Sequence, residues 1–491
     1  MVQPPIQHAD TGVRPAITSY TYDELGNQLT QTDAEQRTTI YTYDNLGRRV
    51  TRKLPGTQVE STTYTEIGNV DTHTDFNGSV ATMGYDNMNR LLTRTVNAAS
   101  GVQASNVGFT YTASGRRDTM TDASGTTTYG YDSRDRLKTK ATPQGTLIYD
   151  YDDASNLVSI TTNTPDGASM TYSHDALNRI NKVTDANNQE TAYGYDEVGN
   201  MTGVGLPNGI ITGYQYDDAN RLASMGHSSG SLGNIANFAY GLNPTGHRRE
   251  SVETGVGLQP LNPTAPRNRV WSYDNLWRLK TETLTGGAAP ANGVATYSLD
   301  SVGNRRARTT TIAGLVNQTF SYNSNDRLDG DTYDSNGNTK ASPVSQPGGA
   351  VGAAPAPVNG TDQYDSSNRL ITRNGSNGDS VQVTYDGDGN RVRQVVTKNG
   401  LPNTTTYLVD DMNPTGYAQV IEERVNGALD KVYTFGHDLI SMDRWTGTGS
   451  NWSLSYYGYD GHGSVRFLSN SLGQITDAYD YDAFGTLLTA C

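Results

Sequence analysis

The chain has 491 residues, 37 Lys and Arg against 51 Asp and Glu, a formal net charge of -14, and 31 tyrosines beside 7 phenylalanines. The acidic balance excludes a nucleic-acid scaffold, because phosphate binding needs clustered cations, and the single cysteine, Cys491, excludes internal disulfides and cysteine-ligated zinc. No apolar run is long enough to span a bilayer, and the opening MVQPPIQHADTGVRPA lacks the apolar core of a signal peptide.

After an N-terminal stub (1–18), one motif organises the chain. YDELGNQL begins at Tyr22, YDNLGRRV at Tyr43, YTEIGNVD at Tyr64 and YDNMNRLL at Tyr85, each step 21 residues. Related units follow at Tyr111, Tyr131, Tyr151, His174, Tyr195 (YDEVGNM), Tyr216 (YDDANRL), Tyr273, Leu299, Tyr322, Tyr333, Tyr364 and Tyr385 (YDGDGNR). The fifth position is restricted to residues that tolerate positive φ: Gly26, Gly47, Gly68, Asn89, Asp135, Gly199, Asn220 and Gly389 among them. That restriction predicts a left-handed residue in a tight hairpin loop, with the preceding aspartate (Asp23, Asp44, Asp196, Asp217, Asp386) closing an Asx-turn. Ser155 and Trp277 stand as exceptions, and YGLNPTGHR at Tyr240 reads as a longer loop.

Alternating segments such as TTIYTYD and RRVTRKL flank each turn and predict half-buried strands, and second loops such as TDFNGSV and TDASGTT close the other end of each unit. Isolated hairpins are marginal in water, so the expectation is an all-β chain whose hairpins stack into one long antiparallel sheet. The array covers 19–406, lengthened at 251–268 and 282–293, with a Pro-, Gly- and Ala-rich insertion at 341–360 expected to be mobile. Units degrade over 407–455, and a different pattern fills 456–491.

No chemistry stands out against this background. Regular spacing gives the aspartates a turn role rather than a paired-carboxylate one. Asp386-Gly387-Asp388-Gly389-Asn390 and Asp334-Ser335-Asn336-Gly337-Asn338 mimic the start of a calcium loop but lack its sixth-position glycine and flanking helices. The seven histidines show no i, i+4 pair; His462, between glycines, is the most notable. Gly203-Val204-Gly205 and Gly255-Val256-Gly257 lack the rest of a dinucleotide loop. No metal, cofactor or catalytic residue is expected. The tyrosines are expected to form cross-strand ladders; were the aromatic sheet to bind sugars instead, Trp271, Trp277, Trp445 and Trp452 would be the first candidates.

The YDxxGN units, from Ser19 to Leu488, resemble the YD repeats of RHS (rearrangement hot spot) proteins, teneurin YD shells and the C components of insecticidal toxin complexes. Residues 456–488 are similar to the opening of the RHS repeat-associated core segment, with Gly463, Ser464, Val465, Arg466, Tyr479, Asp480, Tyr481, Asp482, Phe484 and Gly485 where that segment has them. The resemblance implies a sheet that spirals into a partial or complete hollow shell enclosing a C-terminal toxin or cargo polypeptide, which is not part of this sequence. It also implies a secreted or cell-surface setting and partnership with delivery-system proteins. That family's Asp-Pro autoprotease motifs have no counterpart here, so no catalytic residue is carried over. The competing expectation is a cell-surface adhesion scaffold with glycan partners.

Overall fold

Along the strand Gly125–Tyr131, Thr127 and Tyr129 are buried while Thr126 and Thr128 face solvent. This alternation, repeated from hairpin to hairpin, gives the sheet one covered face and one wet face. In the computed structural model, which describes residues 2–8, 12–256, 266–286, 292–342, 360–375, 377–413, 415–447 and 452–490, there is no α-helix among the described residues. Strands from Ser19–Tyr22 to Gln318–Thr319 form one 27-stranded antiparallel sheet in sequence order. The outermost two are each laddered to one neighbour only, so the sheet is an open ribbon. A 12-stranded sheet in the same order runs from Thr361–Tyr364 to Leu487–Ala490. The residues set aside as a stub form a hairpin of their own, Val2–His8 with Gly12–Ile17. Most of the expected mobile insertion, much of the two lengthened connections, and Cys491 lie outside the described residues.

The ribbon winds back on itself. Asn77 bonds to Asn336, Ser105 to Ser366, Tyr149 to Asp410 and Asn208 to Ser469, at sequence separations of 259 to 261 residues. Successive hairpin turns lie on opposite edges of a ribbon. Over most of the seam, the second lap sets its YD-turn edge against the other edge of the first. The lap then tightens: Tyr240 meets Gly461 at a separation of 221 residues, and Arg308 meets Asp482 at 174. There the last strands, Val465–Ser469 and Ile475–Tyr481, lie over the covered face of the first lap rather than along its edge.

The core is therefore an inter-lap core. Tyr129, Leu147, Tyr149, Ile160 and Met170 of the first lap pack with Leu408, Ile421, Ile440 and Tyr456 of the second. Phe467 inserts among Ile210, Met225, Ile235 and Phe238, and Leu488 joins Leu284, Ala295 and Tyr297. Each such side chain contributes roughly 1.5–3 kcal/mol relative to exposure. A single lap would leave this face wet.

Candidate functional site: the seam between laps

Each YD turn is a three-residue hairpin loop. Asp23 N–H donates to Asn27 O (3.0 Å) and Gly26 N–H to Asp23 O (3.1 Å), a type I turn closed by a left-handed residue and a bulge. The fifth residue has φ 86° at Gly26, 74° at Gly47, 96° at Gly199, 56° at Asn220 and 96° at Gly389. Ser155 (φ 70°) and Trp277 (φ 59°) take the same conformation despite their side chains, because the surrounding loop fixes it. The loop after Tyr240 is not longer: Asn243 and Gly246 make the same two bonds, with Leu242 in the tyrosine's place.

The aspartate does more than an Asx-turn requires. Asp44 Oδ1 accepts from Leu46 N (2.9 Å) and Arg48 N (2.9 Å), and Oδ2 accepts from Arg48 Nε (2.7 Å). Asp217 and Arg221 repeat the arrangement, and Asn27 and Asn200 replace the arginine in the units of Asp23 and Asp196. The Arg48 backbone N–H, ahead of its guanidinium, holds the Asp44 carboxyl below its ordinary range; in Asp217 the Arg221 side chain is the larger cause. Asp386 goes the other way: burial raises it, against the bonds from Asn390.

The repeat tyrosine is a staple. Tyr43 donates its hydroxyl to Gln28 O (2.9 Å), Tyr195 to Ile180 O (2.6 Å), Tyr216 to Met201 O (2.9 Å) and Tyr385 to Leu370 O (3.0 Å), each fifteen residues back in the preceding hairpin. Tyr22, with no preceding unit in the sheet, is 57% exposed. Among the described residues the expected cross-strand tyrosine ladders are not what forms. Where the preceding unit carries an arginine, that guanidinium can cover the ring, with Arg48 4.6 Å over Tyr64, Arg179 4.4 Å over Tyr195 and Arg369 4.9 Å over Tyr385. The turn arginine thus clamps its own aspartate and caps the next tyrosine.

The fourth turn residue differs between the first units of each lap. In the first lap it is apolar and exposed at Leu25, Leu46, Ile67, Met88, Leu177 and Val198. In the second lap it is polar and reaches the first: Asn325 Oδ1 accepts from Gly56 N (2.8 Å), Asn336 Nδ2 donates to Asp75 Oδ2 (2.9 Å), and Asp388 pairs with Arg117 (2.6 Å). In the calcium-like stretch from Asp386, Asp388 is spent on such a contact and Asp386 on Asn390 of its own turn, and no metal-binding group of three occurs among the described residues.

The core-like motif closes the seam. Gly463 (φ 79°) and Gly485 (φ 78°) complete two further YD turns; Ser464 N–H donates to Asp460 Oδ1 (3.1 Å), and Asp482 Oδ1 accepts from Phe484 N (2.9 Å) and Thr486 N (2.7 Å). Between them, Arg466 reaches Glu253 (2.8 Å) and Asp480 (3.4 Å), Arg267 reaches Asp480 (2.6 Å), and Arg308 reaches Asp482 (3.2 Å). Arg269 binds Glu253 (2.7 Å), Glu282 (3.3 Å), Asp480 and the Tyr481 carbonyl (2.8 Å). All eight charged side chains are at most 6% exposed. Burial pushes the Glu253 carboxyl up, but Arg269 and Arg466 outweigh it and hold it at about 2; Glu282 stays raised, burial exceeding the pull of Arg269. Phe484 packs its ring on Tyr297 at 4.8 Å. Beside the network a cleft of about 900 Å³ opens between the laps, lined by Tyr240, Arg248, Trp271, Tyr273, His462 and Tyr481 among others.

Sequence reasoning missed Glu253, Arg267, Arg269 and Glu282. The available signal was a charge at inward strand positions, as in Leu279–Gly286, where Glu282 and Leu284 share the buried face.

A family model described as Teneurin YD-shell matches residues 53–231, and one described as RHS Repeat matches residues 22–59. The tRNA3(Ser)-specific nuclease WapA of Bacillus spizizenii is 28% identical over 221 residues, and the tRNA nuclease WapA of Bacillus subtilis 26%; the match takes in 43% of this chain and 8% of each relative. Among solved structures, the TcdB2-TccC3-Cdc42 crystal structure superposes with a TM-score of 0.81 at 15% identity over 100% of this chain and 27% of that one. The Photorhabdus luminescens Tc holotoxin pore gives the same values. The chain thus spans about a quarter of the toxin-complex chains whose fold it shares, and less than a tenth of the two nucleases.

Proposed function

Because the chain belongs to the RHS/YD-repeat family, we propose that it is the wall of an RHS-type toxin shell, holding a C-terminal cargo polypeptide away from solvent. The observation that carries this reading is the buried network of Arg466, Asp480 and Asp482 with Glu253, Arg269 and Arg308. A surface adhesin needs a long ribbon but has no need to turn the ribbon's end over its own covered face. Containment does need it, since a wall separates two spaces only if its laps are sealed to each other. Of these, Arg466, Asp480 and Asp482 lie in the segment that resembles the RHS-associated core, which gives that segment a mechanical role. The proposed wall works without catalysis by its own residues; any reaction belongs to the cargo.

The test is limited proteolysis of the full-length gene product. Sequence downstream of residue 491 should resist protease as long as the shell is folded and become susceptible when Arg466→Ala and Asp480→Ala open the seam. A downstream segment cleaved at the same rate in both proteins contradicts containment.

A further inference from the structure

One lysine sits where the repeat calls for an apolar residue. Lys140 lies on the covered face of the strand Leu137–Thr142, laddered between Tyr129 and Leu147, and is 1% exposed. The same offset from the repeat position holds Met120, Ile160 and Val183 in neighbouring units, all buried. Lys138 and Lys182 are also paired with carboxylates, but both are exposed. Burying an ammonium is costly, so Lys140 needs a partner able to hold it in a dry site.

That partner comes from the second lap. Nζ donates to Asp411 Oδ1, at a sequence separation of 271 residues, and to the Val409 carbonyl (3.4 Å). Asp411 Oδ2 accepts from Asn390 Nδ2 (2.7 Å), which also donates to Asp386 Oδ2 (3.0 Å). A salt bridge would be complete with these groups. Yet a further carboxyl, Asp410, stands beside them at 0% exposure. Its Oδ1 accepts from the Tyr149 hydroxyl (2.8 Å) and from Met412 N (3.0 Å), whereas its buried Oδ2 has no partner among the described residues. Lys140 and Asp411 both act on its charge, and burial raises it above the ordinary carboxylate range. The unpartnered oxygen is where this acid keeps its proton.

An amine, a carboxyl in contact with it, and a second acid able to carry a proton are the components of an amide condensation. We propose that Lys140 Nζ and Asp411 Cγ join in an intramolecular isopeptide bond that stitches the second lap to the first. A proton passes from Nζ to Asp411 Oδ1 along their hydrogen bond, the neutral pair being the form a dry site favours. Nζ then attacks Cγ, and Asn390 Nδ2 steadies Oδ2 as negative charge gathers there. Asp410 gives its proton to the departing Oδ1 hydroxyl and recovers one from the new amide nitrogen. One C–N bond forms, one C–O bond breaks and a single water leaves. Nothing is oxidised or reduced, and no co-reactant is needed. The step occurs once per chain, maturing the wall before it works rather than turning over a substrate. It fixes the laps whether or not they enclose a cargo, so the two readings fail separately.

The test is the intact mass of the whole chain, purified folded and then denatured, followed by peptide mapping. The chain is expected to weigh one water less than its sequence requires, and digestion to release a branched peptide joining the Lys140 and Asp411 segments. Lys140→Arg and Asp410→Ala should each have the full mass of their sequence, with circular dichroism checking that both fold. On a denaturing gel the native sequence, closed into a loop by the bond, should run ahead of Lys140→Arg. A native chain of full mass, its two segments recovered as separate peptides, would overturn the assignment, and that result depends on no variant. Water lost from Asp411 within a linear peptide would overturn it equally. An Asp410→Ala chain linked as completely as the native one would overturn the proton relay.

Discussion

Arg466 Nη2 lies 2.8 Å from Glu253 Oε2, at a sequence separation of 213 residues and with each side chain only 3% exposed. Each also has a partner on its own lap, Arg269 for Glu253 and Asp480 for Arg466. Truncating one member leaves the dry network with an unbalanced charge, whereas removing both need not.

Arg466→Ala or Glu253→Ala alone should therefore destabilise the seam by roughly 3–5 kcal/mol, and the double replacement by Ala should cost clearly less than the sum of the two. A double-mutant cycle in urea measures it. Additive effects would mean the two groups do not sense one another.

Asp443 gives the seam a pH dependence of its own. Burial, followed by Asp185 across the seam, raises its carboxyl to about 6. The folded state then holds a proton that the unfolded chain releases near its ordinary value of 3.8, so this group costs nothing below about pH 4, its penalty grows as pH rises from 4 to 6, and the penalty is complete above 6. Asp443→Asn should raise the melting temperature more at pH 7.5 than at pH 5. An equal shift at both pH values would contradict the assignment.

His227 has the opposite sign. It is buried at 3% exposure, and Nε2 lies 2.7 Å from the Tyr459 carbonyl, which only accepts, so Nε2 carries the proton and Nδ1 accepts from Thr212. Burial lowers its pKa to about 4, so the stability it contributes is complete above 6.5 and is lost as pH falls toward 4. His227→Gln should flatten that part of the pH profile, read by hydrogen exchange of the strand Leu222–Ser229.

The turn itself can be probed without touching a contact. A Cβ added at Gly199, where φ is 96°, would meet nothing nearer than Arg179 Nη1 at 4.0 Å. Gly199→Ala should therefore cost only the left-handed backbone penalty, about 1–2 kcal/mol, and Gly199→Asn less. Equilibrium denaturation distinguishes them.

The sheet was legible because its two determinants are local: a period-two pattern in the strands and a residue tolerant of positive φ at each corner. The clamp of Asp44 by Arg48 was hidden because a repeated arginine after a turn reads as surface charge, and the tyrosine staple because its acceptor is a backbone carbonyl fifteen residues away. Lap length is not written in any one repeat. The nearest signal is local to the first units of each lap, where the fourth turn residue is apolar at Leu46 and Ile67 but Asn at 325 and 336, which meet another lap instead of water. Resemblance alone pointed to Arg466 and Asp482, and their partners on the first lap became visible only when the ribbon was followed around.

The winding itself is the central claim, and Ser105 and Ser367 test it most directly. Their hydroxyls lie 2.8 Å apart across 262 residues. With Cys491→Ser removing the native thiol, Ser105→Cys and Ser367→Cys should be joined within one chain by a short bifunctional thiol reagent, identified by mass spectrometry of the linked peptides and lost on urea unfolding. Two free thiols in the folded protein, under conditions that link a cysteine pair placed across a single hairpin, would contradict a second lap seated on the first.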